Sequence, residues 1–148
     1  MEYKIDDLDR GIIQLLSRDG RIAFKEIAGR LNVTEKTVHL RYKNLIENGI
    51  MEVVGVVNPI SIGLKTGAII QVKVASQSLQ TVVEKLSRMS AIRFITLLTG
   101  EYPLLVQITA KNGNEITDTV LALNEIPEIS GINTMVQLKV YKNTFQYI

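Results

Sequence analysis

The sequence predicts an α+β protein of two small domains: a helical one over residues 1–50 and a sheet-bearing one over residues 67–148, joined by a linking strand and linker over residues 51–66. Two observations carry this expectation. The hydrophobic period changes near residue 50, from helical three-to-four spacing to strand-like alternation. Beyond the change, the elements follow in the order β-α-β-β-α-β, two split βαβ halves that the right-handed crossover rule folds into one antiparallel sheet with both helices on one face.

In the first helix Ile5, Leu8, Ile12, Leu15 and Leu16 form the apolar stripe. Asp6 or Asp7 is placed to cap it, and Gly20 stands where a left-handed terminating residue is wanted. Gly11, inside the helix, should cost about 1 kcal/mol relative to alanine. A second helix, Phe24 to Leu31, turns Phe24, Ile27, Ala28 and Leu31 to one side. Asn32 tolerates a left-handed turn and Thr34 can cap a third helix, which buries Val38, Tyr42, Leu45 and Ile46 and ends at Asn48-Gly49.

Met51 to Asn58 is a β-prone run suited to a linking strand, and Asn58-Pro59 with Gly63 and Gly67 marks a joint. Gly67 to Ala75 alternates as a strand. A helix with Leu79, Val82, Val83, Leu86 and Met89 follows a cap at Ser76 or Ser78. Ile92–Thr99 and Pro103–Ala110 are strands separated only by Gly100-Glu101-Tyr102, and so form a hairpin. Asn112 or Asn114 caps a last helix that Pro127 stops, and Ile132 to Tyr141 is the last strand. Helices cover only one face of such a sheet. Met135 and Tyr141 help make the other face apolar, so burial against a second copy is expected.

Composition limits the chemistry. With 46% hydrophobic and 22% charged residues the chain is ordinary globular material. No apolar run approaches the roughly 18 residues of a membrane span, and the start lacks the order of a secretory signal, so a cytoplasmic protein without membrane partners is expected. Zero cysteines and a single histidine exclude thiolate chemistry and leave little for a metal site. The carboxylates are scattered singly, and no phosphate loop, dinucleotide fingerprint or nucleophile-base set is present, so neither an enzyme nor a cofactor is expected. Bulk charge does not announce a nucleic-acid binder. Residues 1–58 hold nine Lys/Arg and nine Asp/Glu.

Local pattern does announce one. In FKEIAGRLNVTEKTVHLRYKNLIENG, two helices joined by a very short turn form a helix-turn-helix that can hold the second helix proud of the surface. Small Ala28 sits at the crossing, and Val38 pins the third helix onto the second. The outward face is then expected to show Lys36, Arg41 and Lys43 as cations. Thr34, Thr37 and His39 accompany them as polar readers of double-stranded DNA, and Leu40 can meet a thymine methyl.

IDDLDRGIIQLLSRDGR and TVHLRYKNLIENGIM, with Arg41, Leu45 and Gly49, resemble the Lrp/AsnC family of feast/famine regulators, and the resemblance runs over nearly the whole chain. It implies a winged-type helix-turn-helix followed by a ferredoxin-like βαββαβ module of the RAM type. It also implies a homodimer, often assembled into an octamer, that binds a small effector, commonly an amino acid, at contacts between dimers. Thr99, Gly100, Glu101 and Tyr102 on the hairpin would line that site, with Thr134 on the last strand. The family usually has an aspartate where this chain has Pro103, the natural partner of an effector's amino group. Two other readings compete with a sequence-specific regulator. One is an architectural, chromatin-like DNA binder without an effector; the other is an enzyme, or an effector-binding regulatory subunit of one.

Overall fold

Three helices open the chain: α1 (Asp7–Arg18), α2 (Phe24–Leu31) and α3 (Glu35–Glu47). In the computed structural model, which describes residues 3–142, Asp6 caps α1 in a reciprocal box with Asp9. Asn32 ends α2 at φ 53°, the left-handed turn expected of it. Thr34 caps α3 by accepting the Thr37 N–H. At the far end of α3, Gly49 turns at φ 64°, and Ile50 N–H donates to the Leu45 carbonyl while Gly49 N–H donates to that of Ile46. That pair of bonds is a Schellman stop, and the φ is one a side chain would resist. The three helices close over Ile12, Leu16, Ile27, Ala28, Val38 and Leu45, all buried.

Two glycines, Gly11 within α1 and Gly20 just beyond it, act through space rather than through backbone freedom. A Cβ on Gly11 would meet the Leu31 side chain at 2.9 Å, so the missing side chain lets α2 lie close. Gly20 is not the left-handed terminator expected. Asp19 ends the helix in an extended conformation, and a Cβ on Gly20 would come within 3.3 Å of Val53. The segment after α3 thus passes over the end of α1. Met51–Asn58 joins no sheet among the described residues, because none of their strands lies beside it. Val53, Val54, Val56 and Val57 stay exposed.

The chain divides at Val56/Val57, with Lys142 assigned to the first unit, and the second unit spans Val57–Tyr141. After a short 3-10 turn at Ile60–Ile62 come β1 (Thr66–Val74), α4 (Leu79–Ser87), β2 (Ile92–Leu97), β3 (Leu104–Ala110), α5 (Gly113–Asn124) and β4 (Ile129–Val136). The sheet order is β2-β3-β1-β4, antiparallel throughout. This is the split-βαβ arrangement that the element order predicts. Ala68, Ile70 and Val72 of β1 and Leu104, Val106 and Ile108 of β3 bury against Val82 and Leu86 of α4 and Ile116 and Leu123 of α5.

The other face carries Ile69, Gln71, Leu105, Gln107 and Met135, as the pairings Ile69↔Gln107, Ile69↔Met135 and Gln71↔Leu105 require. Phe94, opposite Gln107, is exposed after an irregularity between Ile92 and Phe94 that leaves Arg93 as the extra residue. Asn112 caps α5 by accepting the Glu115 N–H. Ser78 precedes α4 without a side-chain cap, since a 3-10 turn over Ser76–Ser78 already leads into the helix. β4 begins three residues earlier than its alternation suggests and stops at Val136. Its partner β1 pairs from Val74↔Ile129 to Ala68↔Val136, and after one further bond from Gln137 N–H to the Gly67 carbonyl the pairing stops, one residue from the start of β1. Tyr141 is therefore an exposed residue beyond the strand, not part of the open face.

Candidate functional site

The third helix displays two different sides. Val38 and Leu45 are fully buried and Tyr42 is half-buried; Lys36, His39, Leu40 and Lys43 are exposed. Spacings of three, one and three residues put those four on one side of a helix with 3.6 residues per turn. Leu40, 59% exposed, is the large apolar side chain of that side. Lys36 has no ion pair among the described residues, whereas Lys43 lies 3.6 Å from Glu47 one turn on. His39 sits edge-on to the Phe24 ring, with centroids 4.4 Å apart, and 3.9 Å from Glu35. Phe24 also packs at 4.9 Å on Tyr42, so the first residue of α2 braces α3 from beneath. Thr34 and Thr37 share a hydroxyl bond of 2.8 Å at the helix entrance, where Thr34 also accepts the Thr37 N–H.

Arg41 is not on the outward side. It lies three residues after Val38 and four before Leu45, and its guanidinium folds back towards α1. Nη1 is 2.8 Å from Asp6 and 3.3 Å from Asp9, and donates to the Tyr3 hydroxyl at 3.5 Å. The hydrogen bond with Tyr3, joined by the charges of Asp6 and Asp9, holds the guanidinium above its ordinary pKa. The Asp9 N–H, together with Arg41, holds the Asp6 carboxyl below the usual carboxylate range. Asp6-x-x-Asp9 is readable as a cap. That an arginine 32 residues away completes it is not, because only the packing of α3 across α1 brings the three together.

In the second unit, the hairpin residues Thr99, Gly100 and Glu101 are exposed and Tyr102 is half-buried. The loop is longer than three residues. The Leu98 N–H donates to the Pro103 carbonyl at 2.7 Å, and proline has no N–H to return the bond, so the ladder stops there and residues 99–102 form the tip. Gly100 takes φ 109°, a conformation in which a side chain is strained, and nothing stands within 4 Å of where its Cβ would be. Lys73, on β1, reaches the tip and pairs with Glu101 at 2.7 Å. The hydrogen bond from Lys73 holds the Glu101 carboxyl below its ordinary range, and the same bond holds Lys73 above its own. Sequence reading missed Lys73, whose strand position alone does not show how far the hairpin curls. Thr134 is not beside the tip within one chain. It pairs with Ile70 in β4, while the hairpin leaves β3 on the other side of β1.

Among the described residues no group of three His, Cys, Asp or Glu side chains is placed to hold a metal ion, and no helix is long and apolar enough to cross a membrane. A helix-turn-helix with a cationic, exposed second helix, carried in one chain with a four-stranded α+β module, is the build of a DNA-binding transcriptional regulator.

Comparison with known proteins makes the class particular. A family model described as an AsnC-type helix-turn-helix domain matches residues 5–46, and one described as an Lrp/AsnC ligand binding domain matches residues 67–147. The HTH-type transcriptional regulator FL11 of Pyrococcus furiosus is 34% identical over 141 residues, 95% of this chain and 93% of that protein. The HTH-type transcriptional regulator LrpA of Pyrococcus horikoshii is 33% identical over 129 residues, 86% of this chain and 90% of that one. Among solved structures, Escherichia coli AsnC superposes with a TM-score of 0.89 at 24% identity, covering 95% of this chain and 97% of that one. A transcriptional regulator of Neisseria meningitidis, solved as an L-Met complex, superposes with a TM-score of 0.88 at 24% identity over 96% and 95% of the two chains. The chain belongs to the Lrp/AsnC family of transcriptional regulators.

Proposed function

We propose that this regulator binds DNA sequence-specifically as a dimer or a larger assembly of dimers, in the cytoplasm, and that a small effector such as an amino acid modulates it. The observation that carries the DNA reading is the outward side of α3, where Lys36, His39, Leu40 and Lys43 stand together and exposed beside the Thr34–Thr37 entrance. Lysines there neutralise phosphates, while histidine, threonine and leucine offer base-edge contacts in a major groove. Arg41 is left out of this surface because its charge is already taken by Asp6 and Asp9. Paired α3 helices would enter successive major grooves, so the operator should be a near-palindrome with half-sites about one helical turn, or a multiple of it, apart.

The open sheet face supports pairing: Ile69, Leu105, Met135 and Phe94, set among Gln71 and Gln107, give a partly apolar surface that helices leave bare. Support for an effector comes from the hairpin. Gly100 leaves open space above its backbone, and an exposed N–H there can approach a carboxylate. Thr134 would join such a site only from another copy. Lys73 already neutralises Glu101, so an effector's amino group would have to displace a cation, and Pro103 offers it nothing. A thermal-shift screen of α-amino acids and their amine-free 2-oxo analogues tests this part. Stabilisation by some member of either set is expected, and no shift with any of them would remove the effector.

Selection of duplexes from a random-sequence library tests the DNA reading. Enrichment of one near-palindromic motif is expected. Equal retention of all sequences would favour the architectural, chromatin-like reading instead.

A further inference from the structure

Arg41 is the cation most readily assigned to DNA by pattern, yet its surroundings suit a different task. Asp9 is fully buried. Its carboxylate accepts the Tyr3 hydroxyl at 3.1 Å, the Asp6 backbone N–H at 3.1 Å and Arg41 at 3.3 Å. Asp6 in turn accepts the Asp9 N–H at 2.9 Å and takes Arg41 at 2.8 Å. The two carboxylates that cap the first turn of α1 thus also grip the middle of α3. A buried carboxylate without its cation is costly, so these atoms tolerate little sliding of one helix over the other. The grip falls between Val38 and Leu45, both fully buried, and directly beside exposed Leu40. A change in it acts on the helix that carries the outward side.

We propose that Arg41 is a positioning residue for DNA reading: clamped to the α1 capping box, it sets the aim of Lys36, Leu40 and Lys43 without touching DNA itself. The proposal rests on the reading of α3 as the DNA-reading helix. It separates two roles that a simple loss of binding would confuse. A phosphate contact contributes equally on every sequence, and its removal flattens the salt dependence of affinity. A misaimed helix loses base contacts and keeps its phosphate charges.

The test uses the full chain, a duplex selected from a random library by the unaltered protein, and a random-sequence duplex. Affinity is measured at several salt concentrations for Arg41→Met, Asp9→Asn, the double variant and Arg41→Lys, with folding checked by circular dichroism at the working temperature. Each single variant should lose about tenfold on the selected duplex and little on the random one, with the salt slope retained. The double variant should bind no worse than the weaker single, and Arg41→Lys should recover part of the loss.

If Arg41→Met instead lowers the salt slope by about 0.9 on both duplexes while Asp9→Asn binds normally, Arg41 is a phosphate contact and the proposal is wrong. Unaltered selected-duplex binding in both single variants would reduce the network to fold stability and overturn the proposal equally. Should a variant fail to fold, Asp6→Asn removes only the outer arm of the clamp. A loss of about threefold confined to the selected duplex then supports the proposal, and normal binding contradicts it. Failure of the unaltered protein to enrich any sequence would sink the DNA reading itself, before the variants are made.

Discussion

Asp9 shows how a single residue ties the first fold unit together. Its carboxylate is fully buried, with Tyr3, Asp6 and Arg41 around it, so Arg41→Ala leaves a buried charge without its cation and should cost about 3 kcal/mol, read by urea unfolding. Asp6 provides the pH dependence. Its carboxyl is held below the ordinary range when folded, by the Asp9 N–H and by Arg41. The stability it contributes is therefore fully present above the unfolded-state pKa and lost as pH falls through the folded value. Glu128 behaves in the same sense in the second unit, where the hydrogen bond from Lys85 at 2.7 Å lowers its pKa. Melting temperature should drop from about pH 5 towards about pH 3, and Asp6→Asn should flatten part of that drop. An unchanged profile in the variant would show that Asp6 carries no such linkage. Arg41 was partly legible. Its spacing of three from Val38 and four to Leu45 puts it on the buried stripe, a signal outweighed in the sequence by the expectation that a cation faces out.

The elements of the fold differ in how openly they declare themselves. Helix boundaries were readable where the signal is local, as at Asn32 left-handed, Thr34 as cap and Gly49 after Asn48, but not at the end of α1, where Asp19 and not Gly20 stops the helix. Thr34→Ala should accordingly cost about 1 kcal/mol in urea unfolding, by stranding the Thr37 N–H. The ends of the last strand were not readable, since a strand ends where its neighbour does, whereas β1 and β3 fall within one residue of their alternation. Leu138 and Val140 keep the alternation of β4, but β1 offers them no partner. The linking strand fared likewise, its valines β-prone and without a neighbour among the described residues. At the hairpin, Gly100→Ala should cost about 1–2 kcal/mol because φ 109° strains any side chain, although the space around it is empty. A variant as stable as the original would mean the tip relaxes freely.

For the whole molecule, composition is silent and arrangement speaks. The first 58 residues carry no excess positive charge, so DNA binding rests on where α3 places its lysines and not on bulk basicity. That the strands form one antiparallel sheet with both helices on one face followed from element order and handedness alone. How the copies assemble does not follow in the same way, because an open face states that something covers it without saying how many copies gather. Leu105→Asp, in the middle of that face, should shift the chain towards monomer in sedimentation velocity while leaving the helical unit folded. An unchanged sedimentation coefficient would place the pairing elsewhere. The central claim, that α3 reads sequence from the major groove, is tested most directly by footprinting a duplex enriched from a random library. Two protected major-groove segments are expected, about one helical turn or a multiple of it apart, both lost with Lys36→Ala and Leu40→Ala together. Uniform protection of selected and random duplexes alike, unaffected by that pair of substitutions, would contradict it.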